Sequence, residues 1–140
     1  MRRTLIALSC LGLVACAQLP PSPADIQAKR FEPVADKAVI YVVRQPLDSQ
    51  EAGWLLLDNY EQITTLPGTY YRWEVEPGVR RIMGVTPGGA DAVLNVQPGQ
   101  IYFLRHTVFG TPRTGPTLTA LTPVDPQLGR SLVAHSELLR

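Results

Sequence analysis

The chain has 140 residues, 13 basic and 12 acidic for a net charge of +1, with 45% hydrophobic residues, 13 prolines and 11 glycines. A balance so near neutrality, with no basic run longer than two residues, argues against a nucleic-acid partner. The hydrophobic content argues against disorder and for one turn-rich domain with a real core, and no internal repeat points to a solenoid.

Met1-Arg2-Arg3 is a basic start, followed from Thr4 to Val14 by an apolar run. That run is too short for a membrane-spanning helix, which needs about 20 apolar residues, and reads as a signal peptide over residues 1–15. Leu13-Val14-Ala15-Cys16 resembles the lipobox of bacterial lipoproteins. The resemblance implies cleavage between Ala15 and Cys16, a diacylglycerol on the Cys16 thiol and acylation of the new amino group. Each buried methylene contributes about 0.8 kcal/mol, so several chains on one residue hold the protein on a membrane. Ala17, where an aspartate would resemble a retention signal for the inner membrane, implies a periplasm-facing address on the outer membrane. Cys10 falls in the removed leader and no cysteine follows Cys16, which excludes a disulfide framework and a thiolate metal site.

Residues 16–36 read as a lipidated N-terminus and tether, the prolines at 20, 21 and 23 extending it at about 3.1 Å per residue. Ser22 is a helix N-cap with Pro23 in the first turn and Asp25 three residues on; Pro33 stops this short helix. From Lys37 to Arg140 the pattern is all-β. Ala38 to Arg44 is a strand apolar on both faces. Trp54 to Leu57 and Gln62 to Leu66 flank a hairpin at Asp58-Asn59-Tyr60-Glu61. Thr69 to Glu76 alternates, with Tyr71, Trp73 and Val75 facing the core. Pro77-Gly78 predicts a hairpin into Val79 to Thr86 that pairs Trp73 with Ile82 and Glu74 with Arg81. Pro87-Gly88-Gly89-Ala90 turns into Ala92 to Val96, Pro98-Gly99 introduces Gln100 to Val108, and Thr117 to Thr122 follows the loop from Gly110 to Pro116. Asp125-Pro126 opens a C-terminal helix whose stripe is Leu128, Leu132, Val133 and Leu139.

The stretches "AVIYVVR", "LPGTYYRWEVEPG" and "VQPGQIYFLR", in this order and spacing, resemble the small bacterial lipoproteins and secreted proteins grouped as domain of unknown function 2846. The resemblance covers about Lys37 to Val133. It implies a small immunoglobulin-like or prealbumin-like antiparallel β-sandwich of about seven strands and brings no catalytic residues with it.

Candidates for chemistry are few. His106 lies on a strand and is ordinarily a histidine satisfied by one hydrogen bond; as a general base it would need a carboxylate such as Asp91 or Glu74. Ser131 and His135 share a helix face without an oxyanion hole or an orienting acid. Two histidines, no Asp-rich loop and no glycine-rich phosphate cradle point to no metal and no cofactor. The expected function is therefore a non-catalytic, lipid-anchored binding or structural module of the cell envelope. Its contact residues would be Trp54, Tyr60 and Tyr70, and its partner an envelope protein or a glycan. The alternative is an envelope hydrolase built on His106.

Overall fold

The computed structural model describes residues 20–86, 89–110 and 118–139. The expected signal peptide, its expected cleavage site at Ala15 and Cys16, the turn at Pro87-Gly88 and most of the loop from Gly110 to Pro116 lie outside the described residues. The chain runs α1 (Pro23–Ala28), β1 (Ala38–Val43), β2 (Gly53–Leu57), β3 (Glu61–Thr65), β4 (Thr69–Val75), β5 (Gly78–Gly84), β6 (Asp91–Val96), β7 (Ile101–Phe109), β8 (Leu118–Val124), α2 (Pro126–Ala134) and β9 (Glu137–Leu138).

Two sheets pack face to face, one ordered β8-β7-β1-β4-β9 and the other β3-β2-β5-β6. Between them lies a core of Ile40, Val42, Leu55, Leu57, Ile82, Val96 and Leu104, with Tyr71 and Trp73 packed against it. The all-β sandwich with a C-terminal helix is what the sequence pattern predicts. The strand count is nine among the described residues, and the pairing is mixed: β1 runs parallel to β7, and β4 parallel to β9. A parallel neighbour needs a long crossover, and the whole four-stranded sheet is laid down between β1 and β7.

The predicted hairpin between β4 and β5 does not form. β4 pairs with β1, Ile40 opposite Trp73, while β5 pairs with β2 and β6, Ile82 opposite Leu57 and Ala92. Gly78, at φ 121°, instead carries the chain from one sheet to the other, a backbone state that favours glycine. Glu74 pairs with Arg72 and Arg81 with Asp91, so the expected Glu74–Arg81 partnership is absent. The β2–β3 hairpin is present, with both Asp58 (φ 46°) and Asn59 (φ 63°) left-handed, as the tightest hairpin turns require.

A third layer covers the five-stranded sheet. Val39, Tyr41, Val43, Tyr70 and Phe103 project away from the sandwich core and are buried with Ala28 of α1 and Val133 of α2. Both faces of β1 are thereby covered, which explains its uninterrupted apolar run. Pro126 follows the Asp125 N-cap, whose carboxylate accepts from the N–H groups of Gln127 and Leu128. Gly129 lets α2 lie directly on β7, since a Cβ there would overlap the Phe103 ring. α2 ends at Ala134, before the predicted stripe reaches Leu139, and the chain turns at Ser136 to place β9 beside β4.

Candidate functional site

The three aromatic residues that the sequence nominates as a contact surface are not brought together. Tyr70 belongs to the covered face: it is fully buried, its ring lies 6.0 Å from that of Tyr41, and its hydroxyl donates to Asp25 Oδ1 at 2.9 Å. This corrects its assignment to a binding surface. Residues 70 and 71 point to opposite faces of β4, and the outward face here lies under a helix rather than in water. Asp25 itself is buried, with Lys29 Nζ at 2.9 Å and the Leu138 N–H at 3.0 Å as further partners. Burial opposes its ionisation, but the bonds from Lys29, Tyr70 and Leu138 outweigh it and hold the carboxyl below the usual range. Burial first, and then the Asp25 charge, push the Tyr70 phenol upward. The result is a pin joining α1, β4 and β9.

Trp54 and Tyr60 are exposed, 42% and 93% respectively, at opposite ends of β2. Trp54 stands on the outer face of the four-stranded sheet. Alternation along β2, β5 and β6 places Leu56, Met83 and Val93 on that face, with Leu56 opposite Met83 and Arg81 opposite Val93. Val85 extends the patch, its N–H donating to the Trp54 carbonyl at 3.0 Å. Val85, Val79 and Val93 are exposed, Val93 at 61%. The Arg81–Asp91 ion pair, at 2.5 Å, runs diagonally between Met83 and Val93, and Gln62, Thr64 and Asn95 form a polar rim. No described helix covers this face. Leu56, Met83, Val85 and Val93 escape sequence reading singly; only their alternation with Leu55, Ile82 and Ala92 marks them as a second apolar face.

His106 is buried between the sheets, at the end where β1, β2, β3 and β7 converge. Thr65 Oγ1 lies 3.3 Å from the Gly53 carbonyl, to which it donates, and is hydrogen-bonded to His106 Nδ1 at 2.9 Å. The ring lies so close to β2 that a Cβ on Gly53 would stand 2.6 Å from His106 Cε1. Nε2 has no hydrogen-bond partner among the described residues. Beside it Arg44, fully buried, donates to Asp48 Oδ2 at 3.1 Å, to the Thr65 carbonyl at 3.0 Å and to the Ser49 carbonyl. Asp48 also accepts from the N–H groups of Val108 and Ser49. Burial, and next the Arg44 charge, push His106 down to about 4, so the imidazole is neutral at pH 7. Sequence reading missed Arg44 and Asp48; the signal was an arginine closing an otherwise wholly apolar strand.

Neither carboxylate proposed as a partner for His106 serves it, since Asp91 is held by Arg81 and Glu74 by Arg72. His135 donates from Nδ1 to the Ser131 carbonyl at 2.8 Å, which makes it a helix-end cap rather than a base directed at the Ser131 hydroxyl. Among the described residues no cluster of three or more His, Cys, Asp or Glu is placed to hold a metal ion, and no helix is long and apolar enough to cross a membrane. Two grooves of about 510 and 530 Å³ flank β9, and neither is lined by His106.

Comparison with protein-family models, with curated proteins and with solved structures returned no match.

Proposed function

We propose that the protein is a lipid-anchored lipoprotein of the cell envelope, akin to the domain of unknown function 2846 group, whose sandwich is a non-catalytic binding module. The observation that carries this reading is the open apolar face of the four-stranded sheet around Trp54, Met83 and Val93, which contrasts with the enclosed surroundings of His106. An apolar patch rimmed by polar groups is a common mark of an interaction surface. An indole flanked by Leu56 and Val85, with an Arg–Asp pair further along the same face, suits an envelope protein or a glycan. A general base must reach the proton it abstracts, and His106 is walled off by Gly53, Thr65 and Arg44. The anchor is Cys16 and the address the periplasmic side of the outer membrane. Labelled palmitate should be incorporated into the unmodified protein and not into Cys16→Ala, which should leave the membrane fraction. Continued labelling of Cys16→Ala would refute the anchor. Replacing His106 and His135 together with glutamine should preserve the envelope phenotype of the unmodified gene; its loss in a protein that stays folded and membrane-bound would refute the non-catalytic reading.

A further inference from the structure

The five-stranded sheet has a half-covered edge. β1 pairs with β4 along its length, from Val43 opposite Tyr70 to Ala38 opposite Val75, but on the other side β9 reaches only Thr69 and Tyr70. The Tyr70 carbonyl points outward to the Leu139 N–H at 2.8 Å. Alternation along an antiparallel ladder turns the N–H and C=O groups of Arg72 and Glu74 the same way, and among the described residues no strand pairs with them. The groove of about 510 Å³ lies along this stretch, with Arg72 and Glu74 in its lining. Ala24 and Ala28 of α1, Pro33 and Val34 of the following loop, and Leu138 at the β9 end supply its apolar walls.

We propose that this edge is a strand-addition site that takes an extended, basic segment of another protein, continuing the sheet beyond β9. Main-chain groups of Arg72 and Glu74 supply the ladder, and the apolar walls receive alternate side chains. The charge preference follows from the groove's own residues. Among the described lining residues the one cation, Arg72, is already held by Glu74 and by the Tyr41 hydroxyl at 3.2 Å. Among the described residues Glu32 has only the Gln27 amide at 2.9 Å and a solvated contact with Arg30 at 3.9 Å. The charge left to be matched is negative, and a lysine or arginine of the incoming strand matches it. β9 shows the mode of binding on the same edge. The walls from α1 and the 33–34 loop recess the edge, so it admits a lone strand more readily than the sheet edge of a second copy. The site is on the helix-covered sheet and is independent of the Trp54 face.

Fluorescein-labelled peptides alternating valine with lysine, and valine with glutamate, titrated by anisotropy against the full mature chain in detergent, test this proposal. The lysine peptide should bind at least tenfold more tightly than the glutamate peptide. Glu74→Pro removes an edge N–H that the β1 ladder does not use and should weaken binding at least tenfold. Glu32→Lys lies outside every strand, so it tests the charge preference even if the proline variant misfolds, and it should reverse the order of the two peptides. Trp54→Ser should change neither affinity. Equal binding of the two peptides, or an order that Glu32→Lys leaves unchanged, would overturn the proposal. A dimer of the chain that Glu74→Pro dissociates would also overturn it, assigning the edge to a second copy.

Discussion

On the five-stranded sheet the outward residues Tyr41, Tyr70 and Phe103 lie under α1 and α2, whereas on the four-stranded sheet the outward residues Trp54, Leu56, Met83 and Val93 have no such cover among the described residues. Both rows are apolar, so residue type does not decide which one is hidden. What decides it is where the chain leaves a helix to spend. The flanks of the β domain, residues 23–28 and 126–134, both fold onto the same sheet, and nothing described is left for the other. The covered face stabilises the fold, and the open one is available to a partner.

The largest effect should come from the interior that both sheets share. Arg44→Ala takes a fully buried guanidinium from the mostly covered Asp48 carboxylate and the Thr65 and Ser49 carbonyls and should cost about 3–5 kcal/mol, read from chemical unfolding. A loss below about 1 kcal/mol would mean that the Arg44 node does not tie the sheets together.

Acid should loosen the same place. His106 is neutral in the folded chain down to about pH 4 but takes up a proton near 6.5 when unfolded, so the unfolded state binds more protons between these values. Stability is full above about pH 6.5 and should fall by about 3 kcal/mol as the pH drops toward 4. His106→Gln should flatten that slope. Asp25, whose carboxyl is held down, extends the acid loss in the same direction at still lower pH.

On the covered face, Tyr70→Phe removes one donor to a buried carboxylate and should cost about 1.5–3 kcal/mol. Gly129→Ala, although alanine favours helix by about 1 kcal/mol, should destabilise by about 1–3 kcal/mol because α2 must lift from Phe103. If either change proves neutral, the helices are not an integral layer. On the open face, Trp54→Ser should cost less than either, about 1 kcal/mol, since the ring is 42% exposed and its loss costs mainly strand preference and partial burial. A larger loss would assign Trp54 to the fold rather than to a contact.

Much of this division could be read in the sequence, and the reasons for the rest are physical. The apolar run "AVIYVV" announces that both faces of β1 are covered, and the caps at Ser22 and Asp125 place the two helices that cover it. Tyr70 was misassigned because alternation reports only which side of β4 a residue takes, not whether a helix lies on that side. The neighbouring β1 carried the missing information, since a strand beside it shares its cover. The Pro77-Gly78 turn reads as a hairpin because local turn chemistry is the same whether the chain pairs back or crosses to the opposite sheet. Asp25 reads as a first-turn acid, and its N–H does donate to Ser22 Oγ at 3.1 Å. Its inward carboxylate depends on Tyr70 and Leu138, which sequence distance hides. His106 was legible as a satisfied strand histidine, while its enclosure by Arg44 and Gly53 was not.

The central claim, that the Trp54 face is occupied by a partner in the envelope, is open to direct measurement because no cysteine follows Cys16 in the sequence. Val93→Cys places one thiol in that patch, and Leu47→Cys places one on a loop residue that is 98% exposed. Both would be treated with a membrane-impermeant maleimide, once in osmotically opened cells and once in the purified protein. Both thiols should react fully in the purified protein; in the opened cells Leu47→Cys should react as before and Val93→Cys should be protected at least severalfold. Equal reaction of Val93→Cys in the two settings would contradict the account.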